Sequence, residues 1–461
     1  MSVFKAYDIR GIAGSELDAE FSERLGRAIA THLDADCVSV VRDIRDSSPD
    51  YHEAFVRGLL ASGADVIDLG ISTTGVLYRS IVDLPVDAAV VITASHNPPE
   101  YNGFKICKGK MPLGGEELQE VRRTFEEGNF REGSGNYRSM ETYEEMYVQS
   151  IVDSVGRVSR DIRVVLDCGN AVPGPLAVKV LERLGVDVIP LHCDWDNSFP
   201  NHPPDPTRQE NMEDLGRAVL EHGAEFGIGM DGDGDRLGVV DENGSFIRPD
   251  RLMGIFVKEV LSDLPDNATE EQRTIFFDVK CSMALEEAIE ELGGVPKMVR
   301  TGHTFMKKEL RKFPSSPMAG EMSGHFFMND HWGGFDDSIY CAARLLTIIS
   351  NDSPPEQGGP KFSERFKFMP EYPTTDEGKV PLVGEREEVM GAVVSAFSEM
   401  PTSTVDGVRV RYDDGWYLCR PSNTEPILVM RAEGRNQEAL DHILSDVGRR
   451  IGDIVDLEKL K

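Results

Sequence analysis

The chain has 461 residues, too many for one ordinary hydrophobic core, and its 40% hydrophobic content is enough to bury several cores, so we expect three or four domains. Its 49 basic and 80 acidic residues give a net charge of -31, which argues against nucleic acid or an anionic membrane as a partner. An anionic ligand would therefore need basic residues that are concentrated locally.

The start of the chain carries charge where a secretory signal would be apolar. Lys5, Asp8 and Arg10 interrupt the opening segment MSVFKAYDIRG, and no apolar run approaches the length of a membrane span. The cysteines show no CxxC pair and no regular spacing; they are residues 37, 107, 168, 193, 281, 341 and 419. We therefore expect a soluble cytoplasmic protein, a monomer or small homo-oligomer, with buried free thiols.

Short β-branched runs alternate with helical stretches through the first three quarters of the chain, a pattern typical of α/β units with largely parallel strands. A helix is predicted near residues 50 to 62. The strand-like segments fall into three groups of three: 38–43, 65–70 and 88–93; 162–170, 186–191 and 226–236; 274–280, 296–303 and 318–327. Each group ends in polar loops, so we suspect an internal repeat whose three units each contribute a loop to one cleft.

The last hundred residues have a different pattern. NDSPPEQGGP (351–360) is a linker by composition. It is followed by two segments that resemble antiparallel strands, 408–420 and 427–434, and by a helical segment, 436–451. We therefore predict a smaller α+β domain at the end of the chain. With a gentler break near residues 128–140, the predicted domains are 1–140, 141–245, 246–355 and 361–461.

The loop DGDGDR places Asp231, Asp233 and Asp235 at alternate positions. Three carboxylates this close would repel one another unless a divalent cation lay among them, and oxygen ligands suit magnesium or calcium. Counting from Asp231 puts Glu242 at the twelfth position of an EF-hand, but the sixth position is Arg236 rather than glycine and the flanks are strand-like. A polar turn without metal is the other alternative. Arg236 could reach a phosphate oxygen near this loop.

Ser95, in the segment TASHNPPEYNGFKI (93–106), follows a predicted strand and precedes Pro98 and Pro99. Proline cannot continue a strand interior, so we predict that the serine lies on a stiff, exposed turn. No GxSxG elbow surrounds it, which argues against an acyl hydrolase. A serine that faces a carboxylate-bound magnesium and basic side chains suits phosphoryl transfer. Taken alone, a turn serine bonded to its own backbone is the default interpretation.

Two further loops cluster polar groups. RPSNTEP (420–426) offers a guanidinium, hydroxyls and an amide, which are donors for a phosphate. GEMSGH (320–325) offers Glu321, Ser323 and His325, an alternation of donors and acceptors of the kind that binds sugar hydroxyls. An ordinary polar turn, or a structural histidine, would be the simpler explanation for either loop in isolation.

Together and in this order, these loops and the segments KAYDIRG, FDVKCS and RTGH resemble the α-D-phosphohexomutases, closest to the bacterial-type phosphomannomutase/phosphoglucomutase group. The resemblance implies three related α/β domains with mixed sheets, followed by a smaller α+β C-terminal domain, around a central cleft. It also implies an isomerase that interconverts hexose 1-phosphate and hexose 6-phosphate, of mannose, glucose or both. The reaction would pass through an active-site phosphoserine and a hexose 1,6-bisphosphate.

The resemblance also implies roles for individual residues. Ser95 matches the serine that carries the phosphoryl group. The residues that match the Mg²⁺ ligands are Ser95, Asp231, Asp233 and Asp235. Other catalytic residues that it implies are Arg10, His96 and Lys105. It implies substrate contacts for Arg236, Lys280, His303, Glu321, Ser323, His325, Arg420, Ser422, Asn423 and Thr424. Glucose 1,6-bisphosphate or mannose 1,6-bisphosphate would be the activator.

Three alternatives stay open at this point. Met322 stands where phosphoglucosamine mutases commonly carry glutamine, which favours the mannose and glucose group, although Met322 could equally be a packing residue. A sugar-phosphate phosphatase could use Ser95 as a transient acceptor, but it would not need the phosphate loop at 420–426. A calcium-binding or sugar-phosphate-sensing module without catalysis would not need Ser95.

Overall fold

A computed structural model describes residues 3–422 and 426–455 of the chain. Within these ranges the protein forms four β-sheets with helices packed against them. The first three sheets contain parallel and antiparallel strands, whereas the fourth is antiparallel throughout. The predicted fold class, three α/β units followed by a smaller α+β unit, is confirmed. Among the described helices, none is long and apolar enough to cross a membrane.

The first unit is built on a seven-stranded sheet. Its elements are β1 (Ile9–Ile12), α1 (Ala19–Leu33), β2 (Cys37–Arg42), α2 (Ser48–Ala61), β3 (Asp65–Ile71), α3 (Thr74–Asp83), β4 (Ala88–Ile92), β5 (Tyr101–Lys108), β6 (Met111–Pro112), α4 (Glu116–Glu127) and β7 (Tyr137–Ser139). The strand order is β1-β5-β4-β2-β3-β7, and β6 pairs with β5. Every residue of β4 is buried, as expected for a central strand that has neighbours on both faces.

The second unit has a five-stranded sheet in the order β12-β11-β10-β8-β9. Its elements are α5 (Tyr143–Val155), β8 (Arg163–Asp167), α6 (Gly174–Leu184), β9 (Asp187–Leu191), α7 (Glu213–His222), β10 (Phe226–Met230), β11 (Leu237–Val240) and β12 (Phe246–Ile247). The strands β10 and β11 flank the DGDGDR loop, so the flanks are strands and the EF-hand alternative is wrong.

The third unit repeats this arrangement in the order β14-β13-β15-β16-β17. Its elements are α8 (Pro249–Ser262), α9 (Glu270–Arg273), β13 (Thr274–Asp278), α10 (Met283–Glu291), β14 (Val295–Val299), α11 (His303–Lys312), β15 (Met318–Gly320), β16 (Phe326–Met328), β17 (Phe335–Asp336) and α12 (Ser338–Ser350). Asp337 caps α12 by accepting a hydrogen bond from the backbone N–H of Tyr340 at 3.1 Å.

The fourth unit is a five-stranded antiparallel sheet in the order β18-β22-β21-β20-β19. Its elements are β18 (Gly378–Pro381), α13 (Arg386–Ala396), β19 (Thr402–Ser403), β20 (Val408–Tyr412), β21 (Gly415–Pro421), β22 (Ile427–Gly434) and α14 (Gln437–Ile451). Its buried Trp416 and Leu418 pack against Val279 and Met283 of the third unit. This contact brings the loop after β21 toward the third unit.

The first three units share one strand arrangement, which supports the suspected repeat. Counted along the chain from β2, β8 and β13, the strands of each unit lie side by side as second, first, third and fourth: β3-β2-β4-β5, β9-β8-β10-β11 and β14-β13-β15-β16. The first three strands of each set are parallel, and the fourth is antiparallel. The turn between the third and fourth strands therefore occupies the same place in each unit.

Candidate active site

Three of the polar loops singled out in the sequence lie at equivalent turns of the fold. Ser95 lies between β4 and β5, Asp231 to Asp235 between β10 and β11, and Glu321 to His325 between β15 and β16. Arg420 lies near the end of β21, in the antiparallel sheet of the fourth unit. Each of these three loops is the turn at the carboxyl end of an equivalent parallel strand, β4, β10 or β15, and packing of the units brings the three loops into contact.

Ser95 is held in an unusual backbone conformation and is covered by the aspartate loop. Its φ is 50°, in the left-handed region that non-glycine residues rarely adopt. Its Oγ donates a hydrogen bond to Asp231 Oδ2 at 2.7 Å and lies 3.2 Å from His96 Nδ1. The predicted exposure of this serine is wrong, because only 3% of it is accessible. The covering loop approaches so closely that a Cβ on Gly232 would lie 2.1 Å from the Ser95 carbonyl oxygen.

A buried arginine, Arg45, fixes the backbone of the serine loop. Its Nη2 donates to the carbonyl oxygens of Ser95 at 2.8 Å and Asn97 at 2.6 Å. Its Nη1 donates to the carbonyl oxygens of Pro98 at 2.6 Å and Tyr101 at 2.9 Å. Asp43 Oδ2 accepts from Nε at 3.2 Å and balances the charge. Sequence reasoning missed Arg45; the available signal was a charged residue close after the buried strand β2.

The three aspartates of DGDGDR form a buried carboxylate cluster. One oxygen from each of Asp231, Asp233 and Asp235 lies within 4.8 Å of the others. Lys105 Nζ donates to Asp233 Oδ2 at 2.6 Å and to Asp235 Oδ2 at 2.5 Å. Asp233 Oδ1 and Asp235 Oδ1 are buried without a hydrogen-bond partner within the described ranges. These unsatisfied carboxylate oxygens fit a hard divalent cation.

The pKa values within this cluster move in opposite directions. Burial, reinforced by repulsion from Asp235 and Asp233, raises the pKa of Asp231 well above its ordinary value. Burial opposes ionisation of Asp235 as well, but the positive charge of Lys105 outweighs it and lowers the pKa of that carboxyl. Lys105 itself is buried, yet the attraction of the carboxylates raises its pKa. The cluster thus has more negative charge than one ammonium group balances.

Two helix starts from other units support the aspartate loop. Thr74, the first residue of α3, donates its hydroxyl to Asp233 Oδ2 at 2.6 Å and its backbone N–H to the Asp233 carbonyl at 3.0 Å. Ser338, the first residue of α12, donates its backbone N–H at 3.0 Å and its hydroxyl at 2.8 Å to the Gly234 carbonyl. The loop is therefore positioned by all three α/β units. Neither residue was predicted, because both contacts link segments more than 100 positions apart.

The other residues proposed near the serine lie around it. Arg10 donates from Nη1 to Asn97 Oδ1 and from Nη2 to Asp8 Oδ2, each at 2.6 Å. Arg236 Nε lies 4.0 Å from Asp231 Oδ2, and its Nη1 lies 3.6 Å from Asp205 Oδ1. Burial and the nearby charge of Arg236 lower the pKa of His96 well below its usual range. Burial and Arg236 thus favour the neutral imidazole of His96 beside the Ser95 hydroxyl.

The loop GEMSGH brings Glu321 and His325 into the same region. Glu321 is 1% exposed and accepts a hydrogen bond from the Gly302 backbone N–H at 2.5 Å. Burial raises the pKa of Glu321 to about 7, although His325 opposes the rise. His325 Nδ1 lies 3.1 Å from the Asp235 carbonyl oxygen, which connects this loop to the aspartate cluster. Ser323 is half-buried in the same turn.

The half-buried Met322 packs against the largest hydrophobic core, and its backbone N–H donates to Asp278 Oδ1 at 3.2 Å. These contacts are compatible with the packing alternative for this side chain. His303 begins α11, and its ring stacks near His325 with centroids 5.6 Å apart. Burial, with the charge of Lys307, lowers the pKa of His303 well below its usual range. His303 and His325 thus form one neighbouring pair.

Basic side chains from the third and fourth units lie beside the loop GEMSGH. Lys280 Nζ pairs with Glu377 Oε1 at 2.9 Å. Arg420 Nε donates to Asp406 Oδ2 at 2.7 Å, whereas its Nη2 is buried without a partner in the part of the chain that the structure describes. The Ser422 backbone N–H donates to the Ile427 carbonyl at 2.8 Å. The predicted residues Asn423 and Thr424 lie outside the described residues.

We call Ser95, Lys105, Asp231, Asp233 and Asp235 the reaction centre, and Lys280, Glu321 and Arg420 the substrate side. The reaction centre combines a buried hydroxyl with a carboxylate cluster that suits a divalent cation. The substrate side offers a carboxyl group and two cations to a ligand. Such a combination suits transfer of a phosphoryl group to or from a polyhydroxylated anion.

Models of one family match almost the whole chain. They are described as the α/β/α domains I, II and III and the C-terminal domain of phosphoglucomutase/phosphomannomutase. The matched residues are 1–132, 141–244, 248–372 and 373–449.

Individual proteins show the same likeness. A phosphomannomutase/phosphoglucomutase of Pseudomonas aeruginosa is 40% identical over 452 residues, 96% of this chain and 94% of that protein. A phosphoglucomutase of Neisseria gonorrhoeae is 39% identical, covering 96% of this chain and 95% of that protein. The crystal structure of a phosphoglucomutase/phosphomannomutase family protein from Burkholderia thailandensis superposes with a TM-score of 0.90 at 38% identity, covering 98% and 97% of the two chains.

Proposed function

We propose, since this chain belongs to the phosphoglucomutase/phosphomannomutase family, that it is a phosphohexomutase acting on mannose phosphates, glucose phosphates or both. The enzyme is an isomerase that interconverts hexose 1-phosphate and hexose 6-phosphate. In the proposed reaction, a phosphorylated Ser95 gives its phosphoryl group to the free hydroxyl of the substrate. The resulting hexose 1,6-bisphosphate turns end over end and returns its other phosphoryl group to Ser95.

The observation that carries this proposal is the environment of the Ser95 hydroxyl. It lies 2.7 Å from Asp231 Oδ2, at the edge of a cluster of three carboxylates that also contains Lys105. A phosphoserine at this position carries about -1.5 to -2 charges near neutral pH, so it needs neighbouring cations. The fixed backbone of the serine loop, held by Arg45, keeps the reacting oxygen in one place, which is the main requirement for phosphoryl transfer.

We propose that Ser95, Asp231, Asp233 and Asp235 hold Mg²⁺. The residues fit this ion because they offer only oxygen donors, and two buried carboxylate oxygens have no partner within the described ranges. Bound there, Mg²⁺ would neutralise negative charge on the transferring phosphoryl group.

Four basic or neutral donors complete the proposed reaction chemistry. Lys105 and Arg10 stabilise the charge of the transferring oxygens and assist proton transfer at the substrate hydroxyl. His96 lies against the Ser95 hydroxyl at 3.2 Å, where it orients that oxygen. Arg236 approaches the cluster at 4.0 Å and donates to a phosphate oxygen.

We propose that the remaining residues bind the substrate. Glu321, Ser323 and His325 bind the sugar hydroxyls, and Lys280 and His303 contact the sugar phosphate. The phosphate that does not react is held by Arg420, Ser422, Asn423 and Thr424. The buried, unpartnered Nη2 of Arg420 supports this assignment, since a guanidinium donor in this position lacks an acceptor among the described residues. The same loop must accept the phosphate from either end of the sugar.

The proposal also covers the activator, the cellular location, the oligomeric state and the domain boundaries. Glucose 1,6-bisphosphate or mannose 1,6-bisphosphate would restore phosphoserine after the intermediate escapes. We propose a cytoplasmic monomer or small homo-oligomer whose domains are 1–140, 141–245, 246–355 and 361–461. Hexose phosphates are its proposed ligands.

Phosphorus NMR of the purified protein tests this function. Mannose 1-phosphate, glucose 1-phosphate and glucosamine 1-phosphate are supplied with Mg²⁺ in separate tubes, each with and without trace glucose 1,6-bisphosphate. We expect the mannose or glucose 6-phosphate to appear faster with the bisphosphate, and turnover to be lost in Ser95→Ala. Ser62→Ala is the matched control, because this buried hydroxyl lies at the end of α2 and has no partner in the described part of the chain.

The other outcomes separate the alternatives. Release of inorganic phosphate without isomerisation would identify a phosphatase. Conversion of glucosamine 1-phosphate alone would identify a phosphoglucosamine mutase. No change in any tube, with ligand binding retained in Ser95→Ala, would identify a binding protein and contradict the proposed mechanism.

A further inference from the structure

A second cluster of metal-type ligands lies outside the residues assigned to the reaction. Asp167 ends β8, His192 follows β9, and His202 lies in the connection that leads from β9 to Asp205. One carboxylate oxygen of Asp167 and one ring nitrogen of each histidine lie within 4.8 Å of one another. We propose that Asp167, His192 and His202 form a binding site for Zn²⁺.

Hydrogen bonds use one polar atom of Asp167 and one of His202, and they leave a metal-coordinating atom of each residue facing the other. His202 Nδ1 lies 2.9 Å from the Pro203 carbonyl, so it carries a proton, and Asp167 Oδ1 accepts from the Gly169 backbone N–H at 2.9 Å. The remaining atoms, His202 Nε2 and Asp167 Oδ2, are 3.0 Å apart. If the imidazole is neutral, its Nε2 lone pair faces the carboxylate oxygen. Two such electron-rich atoms stay this close only if a proton or a metal ion lies between them. A histidine whose other nitrogen donates to a carbonyl is the usual form of a metal ligand.

His192 distinguishes a metal site from a simple ion pair. Its ring is close to perpendicular to that of His202, with centroids 5.6 Å apart. Its Nε2 is buried, lies 3.7 Å from Asp214 Oδ2, and has no hydrogen-bond partner within residues 3–422 and 426–455. A proton shared by Asp167 and His202 would leave this nitrogen with only the Asp214 carboxylate nearby, beyond hydrogen-bond distance. A metal ion would take a nitrogen of His192 as its third ligand, and Asp214 or water would complete a shell of four ligands.

The backbone around the cluster is held in strained conformations. Asn170, His192 and Phe199 have φ values of 60°, 49° and 48°, and they are three of the five described non-glycine residues with positive φ. The His192 carbonyl accepts the Asn170 backbone N–H at 2.7 Å, which joins the ends of β8 and β9. Such strain persists where the surroundings fix it, and it concentrates at ligand sites. Ser95, in the reaction centre, is another of these five residues with positive φ.

The donor set selects the kind of metal. Two imidazoles and one carboxylate suit zinc and similar transition metals, whereas magnesium prefers an all-oxygen shell. The nearby Cys193 thiol is directed to the Leu166 and Leu191 carbonyls, so a thiolate ligand is not part of the site. The side chains of His192 and His202 are 18% and 14% exposed, which gives an ion a route from solvent.

A metal here would act as a structural link. It would join the ends of β8 and β9 to the segment that contains Pro204 and Asp205. The Pro204 carbonyl accepts the Gly232 backbone N–H at 3.1 Å, and Asp205 faces Arg236 at 3.6 Å. The linked segment therefore supports the aspartate loop and Arg236.

Zinc binding to the full-length, metal-stripped protein tests the inference. Calorimetric titration with Zn²⁺ is carried out in millimolar Mg²⁺, which occupies the oxygen-only site. We expect one equivalent of zinc to bind and to raise the melting temperature, and Co²⁺ in its place to give the visible absorption of a four-coordinate ion. His192→Phe, which keeps the ring volume, should weaken zinc binding at least about tenfold. His222→Ala, an exposed histidine at the end of α7, should leave it unchanged.

Absence of zinc binding by the wild-type protein would overturn the proposal, as would unchanged binding by a folded His192→Phe. If that variant does not fold, zinc-edge X-ray absorption of the wild-type protein decides. Two imidazole nitrogens in the zinc shell support the site, and a shell of oxygens only overturns it.

Discussion

The reaction centre and the substrate side differ in how their charges are balanced. In the reaction centre, Lys105 contacts two carboxylates at 2.6 and 2.5 Å, and Ser95 donates to a third at 2.7 Å. On the substrate side, Lys280 lies 2.9 Å from Glu377 and 4.0 Å from Asp278, and Arg420 uses one of its nitrogens on Asp406. We call the reaction centre the paired end because its ammonium group is engaged by two carboxylates; the oxygens left without a partner there, Asp233 Oδ1 and Asp235 Oδ1, suit a metal ion. The substrate side instead keeps a guanidinium nitrogen of Arg420 that has no partner among the described residues.

This difference matches the two tasks of the proposed reaction. Groups that stabilise a transferring phosphoryl group are most effective when they are fixed beforehand, because they need not reorganise during the reaction. Groups that bind a substrate gain most when their donors are not already satisfied within the protein. We therefore expect substitutions in the reaction centre to affect folding and turnover, and substitutions on the substrate side to affect mainly affinity.

Lys105→Met is the strongest test of the paired end. It leaves Asp233 and Asp235 buried without their cation, so the free energy of unfolding in Mg²⁺-free buffer should fall by about 3–5 kcal/mol. Added Mg²⁺ should restore part of that loss, because it binds the same carboxylates. Urea denaturation with and without Mg²⁺ measures both effects. Lys108→Met, an exposed lysine at the end of the same strand, is the control. Equal stability of Lys105→Met and wild type would contradict the pairing argument.

Arg45→Lys tests whether the serine loop is positioned in advance. Lysine cannot replace four hydrogen bonds from a planar guanidinium, so we expect unfolding to become easier by about 2–3 kcal/mol. The kcat should fall while KM changes little, since the substrate side is untouched. Steady-state kinetics and urea denaturation measure these changes. Arg42→Lys, three residues earlier at the end of β2, serves as the control. An unchanged kcat would mean that the loop holds its conformation without Arg45.

Much of the paired end was predictable from sequence because its signals are local. DGDGDR places three carboxylates within five positions, and the apolar runs before Ser95 and Asp231 predict buried strands that end shortly before those residues. The family resemblance added Lys105 and Arg10, which no local pattern connects to the aspartates.

The supporting contacts were not predictable, because they depend on how distant segments pack. Thr74 meets Asp233 across 159 positions of the chain, and Arg45 meets Ser95 across 50. The burial of Ser95 was missed for the same reason, since its cover is the loop of another unit. The zinc ligands Asp167, His192 and His202 likewise form no spacing motif and meet only at the ends of neighbouring strands.

Arg420→Gln sharpens the comparison from the substrate side. Losing a charge-assisted contact to phosphate should cost about 1.5–3 kcal/mol, which lowers kcat/KM about 10- to 150-fold, mostly through KM. Stability should change little, because Asp406 keeps the Thr301 backbone N–H at 3.2 Å and Arg300 at 3.6 Å. Steady-state kinetics measures the split between kcat and KM. Arg411→Gln, exposed on β20, is the control. A large loss of stability with KM unchanged would place Arg420 with the structural cations.

Glu321→Gln compares the two ends through the pH dependence of stability. Burial raises the pKa of Glu321 to about 7 from 4.5, so the folded protein holds a proton that the unfolded chain has released between those pH values. Glu321 therefore makes stability fall as pH rises through this window, by at most about 1.4 kcal/mol per pH unit. Lys105 lowers the pKa values of Asp233 and Asp235, so their contribution has the opposite sign and is lost in acid.

Urea denaturation at several pH values between 4.5 and 7 measures the Glu321 contribution as the difference between Glu321→Gln and wild type. The variant should lack the decrease in the free energy of unfolding that Glu321 causes as the pH rises. Its free energy of unfolding, measured relative to that of wild type, should therefore increase from low to high pH. Glu291→Gln, an exposed glutamate at the end of α10, should keep the wild-type slope. If Glu321→Gln also kept the wild-type slope, Glu321 would already be ionised in the folded protein over this pH range, and burial would not hold a proton on the substrate side.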